Sequence, residues 1–98
     1  MKINFNQSLI PFTGKAIKKI NDDGEQVDYT LSDECMKLIL ADDVSGEDKI
    51  VRYNLAEKIY NSDMEIEITP EDVALIRKLV KEKSPTLVAG IALRMLDN

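Results

Sequence analysis

The chain has 98 residues, 44% of them hydrophobic and 32% charged. That balance belongs to a folded chain with one modest core and excludes a disordered segment. Its 18 acidic residues outnumber 13 basic ones, for a net charge of −5, which speaks against the clustered Lys and Arg of a nucleic-acid or membrane footprint. The acidity is scattered, and its plain reading is a charge that keeps a small acidic protein in solution.

No stretch approaches the ~20 apolar residues of a membrane span. The opening "MKINFNQSLIPF" carries one Lys and is broken by Asn, Gln and Pro, so no N-terminal signal is expected. A single Cys35 has no internal disulfide partner, which fits a reducing cytoplasm.

In chain order, residues 1–31 read as β structure and turns. "KINF" and "SLIPF" can supply a short edge strand, which Pro11 confines to an edge or ends. "GKAIKKINDDGEQVDYTL" centres on Asp23-Gly24, a dipeptide suited to a type I′ turn with positive φ at both positions. That turn pairs Ile20 with Val27, Lys18 with Tyr29 and Ala16 with Leu31, on one shared face.

From Thr30 the pattern becomes helical. "TLSDECMKLILA" opens with Thr30 and has Asp33 three residues on, as in a capping box; it closes at the turn-rich "DDVSG". Ser45 is the expected N-cap of the next helix, with Glu47 and Asp48 in the first turn, where the helix dipole favours carboxylates. Val51, Leu55 and Ile59 form its expected buried stripe, and it ends around Asn61-Ser62. The third helix, "ITPEDVALIRKLVKEK", has Thr69 as N-cap and Pro70 at its first position. Val73, Ile76, Leu79 and Val80 face inward, and Lys78, Lys81 and Lys83 load its C-terminal end.

A fourth helix follows, with Ser84 as expected N-cap and Pro85 at the first position. At roughly 100° per residue, its apolar side chains from Leu87 to Leu96 cover about 240° of the circumference. Only Thr86, Gly90 and Arg94 fill the remainder. Helix, tight turn, helix is also the outline of a DNA-reading motif. A recognition helix needs several polar side chains for base edges and phosphates. This one offers a single Arg, so the outline reads as packing.

The usual catalytic chemistry is missing. With no His in the chain, the commonest general base and metal ligand are absent. Cys35 lies within an apolar helical pattern and reads as a small buried hydrophobe. The pairs Asp22-Asp23, Asp42-Asp43 and Glu71-Asp72 fall in turns or first helical turns, where acidity has a structural reason. "DDGEQVD" lacks calcium-loop spacing, and no phosphate-cradling Gly loop is present. No catalytic residue, cofactor, metal site or small-molecule substrate is expected, and the chain is not expected to be an enzyme.

What remains is the apolar excess of the fourth helix, which is either sunk within a bundle or shared with a partner. Both readings stay open. Leu87, Ile91 and Met95 lie within about 80° of one another and border Arg94, so these four mark the edge of the arc and are the interface candidates. Gly90 bears on the choice, because a mid-helix Gly costs about 1 kcal/mol relative to Ala and usually marks close approach of another backbone.

Taken in order, "FTGKAIKKINDDGE", "RYNLAEKIY" (52–60), "ITPEDVALIRKLV" (68–80) and "SPTLVAGIALRMLD" (84–97) resemble small proteins of unassigned role encoded by tailed bacteriophages and prophages. Such relatives often carry a Gly near the end of the third helix, where this chain reads Lys81-Glu82-Lys83. The resemblance implies a viral accessory protein acting in the host cytoplasm and transfers no catalytic residue.

The expected fold is α+β, one domain over 1–98, with a β-hairpin region over 1–31 and a bundle of about four helices over 32–98. The expected function is a non-enzymatic protein-interaction module, self-associating or binding a host or phage protein. A virion assembly factor, such as a tail-assembly or head–tail component, is the alternative, and a DNA-binding regulator the weakest reading.

Overall fold

The computed structural model describes residues 1–97. It is an α+β fold in which short N-terminal strands precede the helices: β1 (Lys2–Asn4), β2 (Lys18–Ile20), β3 (Gln26–Asp28), α1 (Leu31–Ile39), α2 (Glu47–Tyr60), β4 (Glu65–Glu67), α3 (Pro70–Lys83) and α4 (Thr86–Leu96).

The β structure forms two antiparallel pairs, β1 with β4 and β2 with β3. The strand β4, between α2 and α3, was not expected. Its alternation Glu65-Ile66-Glu67-Ile68 turns Ile66 and Ile68 toward the molecule, and the pairing sets Ile3 opposite Ile66. The opening segment "KINF" does become an edge strand. "SLIPF" contributes a single bridge, Ser8 to Thr30, and the Leu9 N–H donates to the Tyr29 carbonyl at 2.9 Å.

The β2–β3 hairpin is present, but its register and turn differ from expectation. The pairs are Ile20 with Gln26, Lys19 with Val27 and Lys18 with Asp28. Gly24 has φ of +80°, whereas no residue other than glycine has positive φ among those described, so Asp23 does not adopt the type I′ geometry. The cause is Asn21. Its side-chain oxygen accepts the N–H groups of Asp23 and Glu25, and its carbonyl accepts that of Gly24. This builds a three-residue loop that ends in a left-handed glycine. The one-residue slip turns the β2 side chains over relative to β3, so Ile20 faces solvent while Lys19, opposite Val27, is half-buried with it.

The helix α1 has the expected capping box in full: the Thr30 hydroxyl accepts the Asp33 N–H, and the Asp33 carboxylate accepts the Thr30 N–H. The α3 start is likewise as read, with the Thr69 hydroxyl accepting the Asp72 N–H and Pro70 at the first position. Its buried residues are Val73, Ile76, Leu79 and Val80.

Two helix starts differ. Gly46, at φ of +62°, occupies the N-cap of α2, and Ser45 makes no capping bond. The buried face of α2 is Arg52, Leu55, Ala56 and Ile59, while Val51 is 54% exposed. Arg52 takes the inward place because Asp43, in the preceding turn, receives its guanidinium at 2.7 Å. The Lys83 ammonium meets the other oxygen of the same carboxylate. Ser84 closes α3 and does not cap α4; Pro85 stands at the N-cap and its carbonyl accepts the Ala89 N–H at 2.8 Å.

The helices pack in the order α2, α1, α3, α4, each mainly against its neighbours. One hydrophobic cluster runs through them, from Phe5 and Leu9 of the N-terminal segment to Ala92 and Leu96 of α4. The outer helices of this row are therefore α2 and α4.

Candidate functional site

Between residues 9 and 17 the chain leaves the β region and returns. The Pro11 carbonyl accepts the Gly14 N–H at 2.9 Å, and Gly14 adopts φ of +82°. This tight turn places Phe12 at its second position, 90% exposed. Pro11 and Leu9 are buried and anchor the base. A phenyl ring is thus held outside the core on a fixed turn.

The ring of Phe12 and the side chain of Ile10 form one wall of a groove of about 410 Å³. The other wall is the outer side of α4: Thr86, Leu87, Gly90, Ile91, Arg94 and Met95. All four interface candidates, Leu87, Ile91, Arg94 and Met95, lie here. The apolar arc of α4 is divided. Ala92 and Leu96 are fully buried, Val88, Ala89, Leu93, Ile91 and Met95 are half-buried, and Leu87 is exposed. Gly90 does not mark a close backbone approach, because nothing lies within 4 Å of where its Cβ would stand. Its lack of a side chain instead leaves the groove floor open.

The groove holds no group that could serve as nucleophile or general base beyond the Thr86 hydroxyl. It can accept an apolar surface, with one cation at the rim. A second, more open concavity of about 630 Å³ crosses the solvent side of α3, walled largely by the long charged side chains of Arg77, Lys78, Lys81 and Glu82. It lacks the aromatic wall.

A polar cluster lies inside the fold, which sequence reasoning missed. Glu34 of α1 is 1% exposed. It accepts the Tyr29 hydroxyl at 2.8 Å, the Ser84 hydroxyl, and the Lys37 ammonium at 3.0 Å. The hydroxyl expected to cap α4 is thus committed to tying the α3–α4 turn to α1. Burial opposes ionisation of Glu34, but the Ser84, Tyr29 and Lys37 donors outweigh it and hold the carboxyl below its ordinary range. For Tyr29, burial and the neighbouring carboxylate push the phenol up. Cys35, fully buried beside this cluster, has its thiol pushed up to about 12 by burial and by Glu34. It is a core side chain with no thiolate at neutral pH. The signal for Glu34 in the sequence is faint: Glu34 falls on the same helical face as Leu31, Cys35 and Leu38.

Among the described residues no group of three or more His, Cys, Asp or Glu gathers as metal ligands would. No described helix is long and apolar enough to cross a membrane. No protein-family model, curated protein or solved structure matches the chain.

Proposed function

We propose that the protein works without catalysis, as an interaction module that receives a protein surface in the groove between α4 and the Pro11–Gly14 turn. The observation that carries this reading is Phe12, which is held 90% exposed opposite an apolar helix face. Aromatic and methionine side chains around a concave patch, with charge confined to the rim, are the composition of an interface centre. The partner is a second copy of this chain or another protein. The resemblance of the helical segments to small phage proteins supports a host-cell setting in which that partner is of phage or host origin. A virion assembly factor is the second reading. It is favoured by a second exposed apolar face, that of Ile50, Tyr53 and Tyr60 on α2, because an assembly component needs more than one contact surface. A DNA-binding regulator would need a basic face, and the groove offers only Arg94.

Phe12→Asp tests the reading. An exposed side chain can be changed with an effect on stability within about 0.5 kcal/mol, so melting should be preserved. Self-association measured by light scattering, or retention of a partner from bacterial host lysate, should be lost. The reading falls if wild type shows neither association nor a retained partner, or if Phe12→Asp retains what wild type does.

A further inference from the structure

The groove is concave, and an identical groove cannot fill it; what fits is a convex apolar ridge. The chain carries one. At roughly 100° per residue, Ile50, Tyr53, Glu57 and Tyr60 lie within about 80° of one another on α2. They face away from the buried Arg52, Leu55, Ala56 and Ile59. Ile50, Tyr53 and Tyr60 are all exposed, Tyr60 by 75%. An amphipathic helix on the outside of a fold usually keeps this side polar. Here α2 is apolar on two sides, and it stands at the opposite end of the helix row from α4.

The two surfaces match in length and in charge. The ridge from Ile50 to Tyr60 and the α4 wall from Thr86 to Met95 both run roughly 14–15 Å at 1.5 Å per residue. Among the described residues, neither Glu57 of the ridge nor Arg94 of the groove has an ion-pair partner. A near-parallel alignment that sets Ile50 by Leu87 also brings Glu57, seven residues on, to Arg94. A symmetric pairing of two α4 faces would leave the concavity unfilled and Arg94 against apolar side chains. The tyrosines offer large contact area with a polar tip, which suits a surface that is wet when free.

We infer that the occupant of the groove is the α2 ridge of a second copy, so that copies associate head to tail. Such an interface uses two different surfaces of each chain and grows into a ring or an open filament unless its rotation closes early. This inference rests on the groove being an interaction site and adds the identity of the partner and the direction of assembly.

The experiment is a complementation by mass. Phe12→Asp breaks the groove and Tyr53→Asp breaks the ridge, both at exposed positions. Wild type should form species larger than a monomer within ~1 mM, the weak limit expected for a small interface. Each variant alone should associate about tenfold or more weakly. Mixed, the two variants should form a 1:1 heterodimer and nothing larger, because one intact groove and one intact ridge remain. Arg94→Glu and Glu57→Arg provide a second pair: each alone weakens association, and mixing them restores an oppositely charged contact at every interface between unlike variants, so the mixture assembles beyond a dimer. A wild type that stays monomeric overturns the inference while leaving a foreign partner for the groove. Association that survives Tyr53→Asp but not Phe12→Asp also overturns it, in favour of a symmetric groove contact. If Phe12→Asp changes nothing, the groove reading itself fails.

Discussion

Glu34 joins three parts of the chain through one carboxylate: the end of β3 through Tyr29, the α3–α4 turn through Ser84, and its own helix through Lys37. A charge at this depth is tolerated because every oxygen has donors, and among the described residues no buried side-chain nitrogen or oxygen lacks a partner. Glu34→Ala strands two hydroxyls and should cost about 3 kcal/mol or more by denaturant melt, whereas Glu34→Gln, which keeps an acceptor, should cost less. The folded carboxyl is held below the ordinary 4.5, so the folded state binds fewer protons than the unfolded one near that pH. Its contribution is therefore present above pH 4.5 and lost as pH falls through the lowered folded value. The gap between wild type and Glu34→Gln should accordingly be widest at neutral pH and close on acidification. A gap that stays constant down to pH 3 would show that the fold does not lower the Glu34 pKa, and one that widens on acidification would show that Glu34 is neutral inside the fold. Little of this was legible in the sequence, where the one signal is that Glu34 shares a helical face with Leu31, Cys35 and Leu38; its hydroxyl donors come from residues 5 and 50 positions away.

At the scale of elements, legibility followed how much of each element's shape is decided locally. Capping chemistry is local, so the starts of α1 and α3 could be read from Thr30-Asp33 and Thr69-Pro70. The α2 face could be read in part: Leu55 and Ile59 of the expected stripe are buried, but Val51 is exposed and Arg52 turns inward, selected by Asp43, outside the helix. The strand β4 is three residues long and gains its identity from pairing with β1, far earlier in the chain, Lys2 with Glu67, Ile3 with Ile66 and Asn4 with Glu65. In the candidate site, the α4 half could be read from its arc, but the Phe12 wall depends on where a turn lands in space. The hairpin was present where expected, but its turn is a three-residue loop and its register is slipped by one. Its turn offers a clean test, since Gly24 has positive φ and nothing within 4 Å of a would-be Cβ. Any cost of substitution there is conformational. Gly24→Val should destabilise by roughly 1 kcal/mol or more and Gly24→Asn by less, because Asn tolerates the left-handed region. Equal melts for the two variants would mean the loop relaxes into another turn.

For the whole molecule, the decisive feature is a row of helices whose two outer members both keep an apolar face toward solvent. Stacked helical proteins close such rows with polar outer faces, and this chain leaves both ends open. Net charge acts against association. Each copy carries −5 on a body of 38 × 31 × 26 Å, so two docked copies repel over distances comparable with the ~30 Å Debye length at 0.01 M salt. Near 1 M that length falls to about 3 Å and the repulsion vanishes. The single Arg94–Glu57 contact is exposed and weakens over the same range, but such a pair is worth only about 0–1 kcal/mol. Apolar burial is not screened. Head-to-tail association should therefore tighten as NaCl is raised, opposite to the salt response of a protein bound to nucleic acid. Dissociation constants from sedimentation equilibrium across that range decide the matter. Association that weakens steadily with salt would show that charge, and not the ridge and groove, holds the copies together.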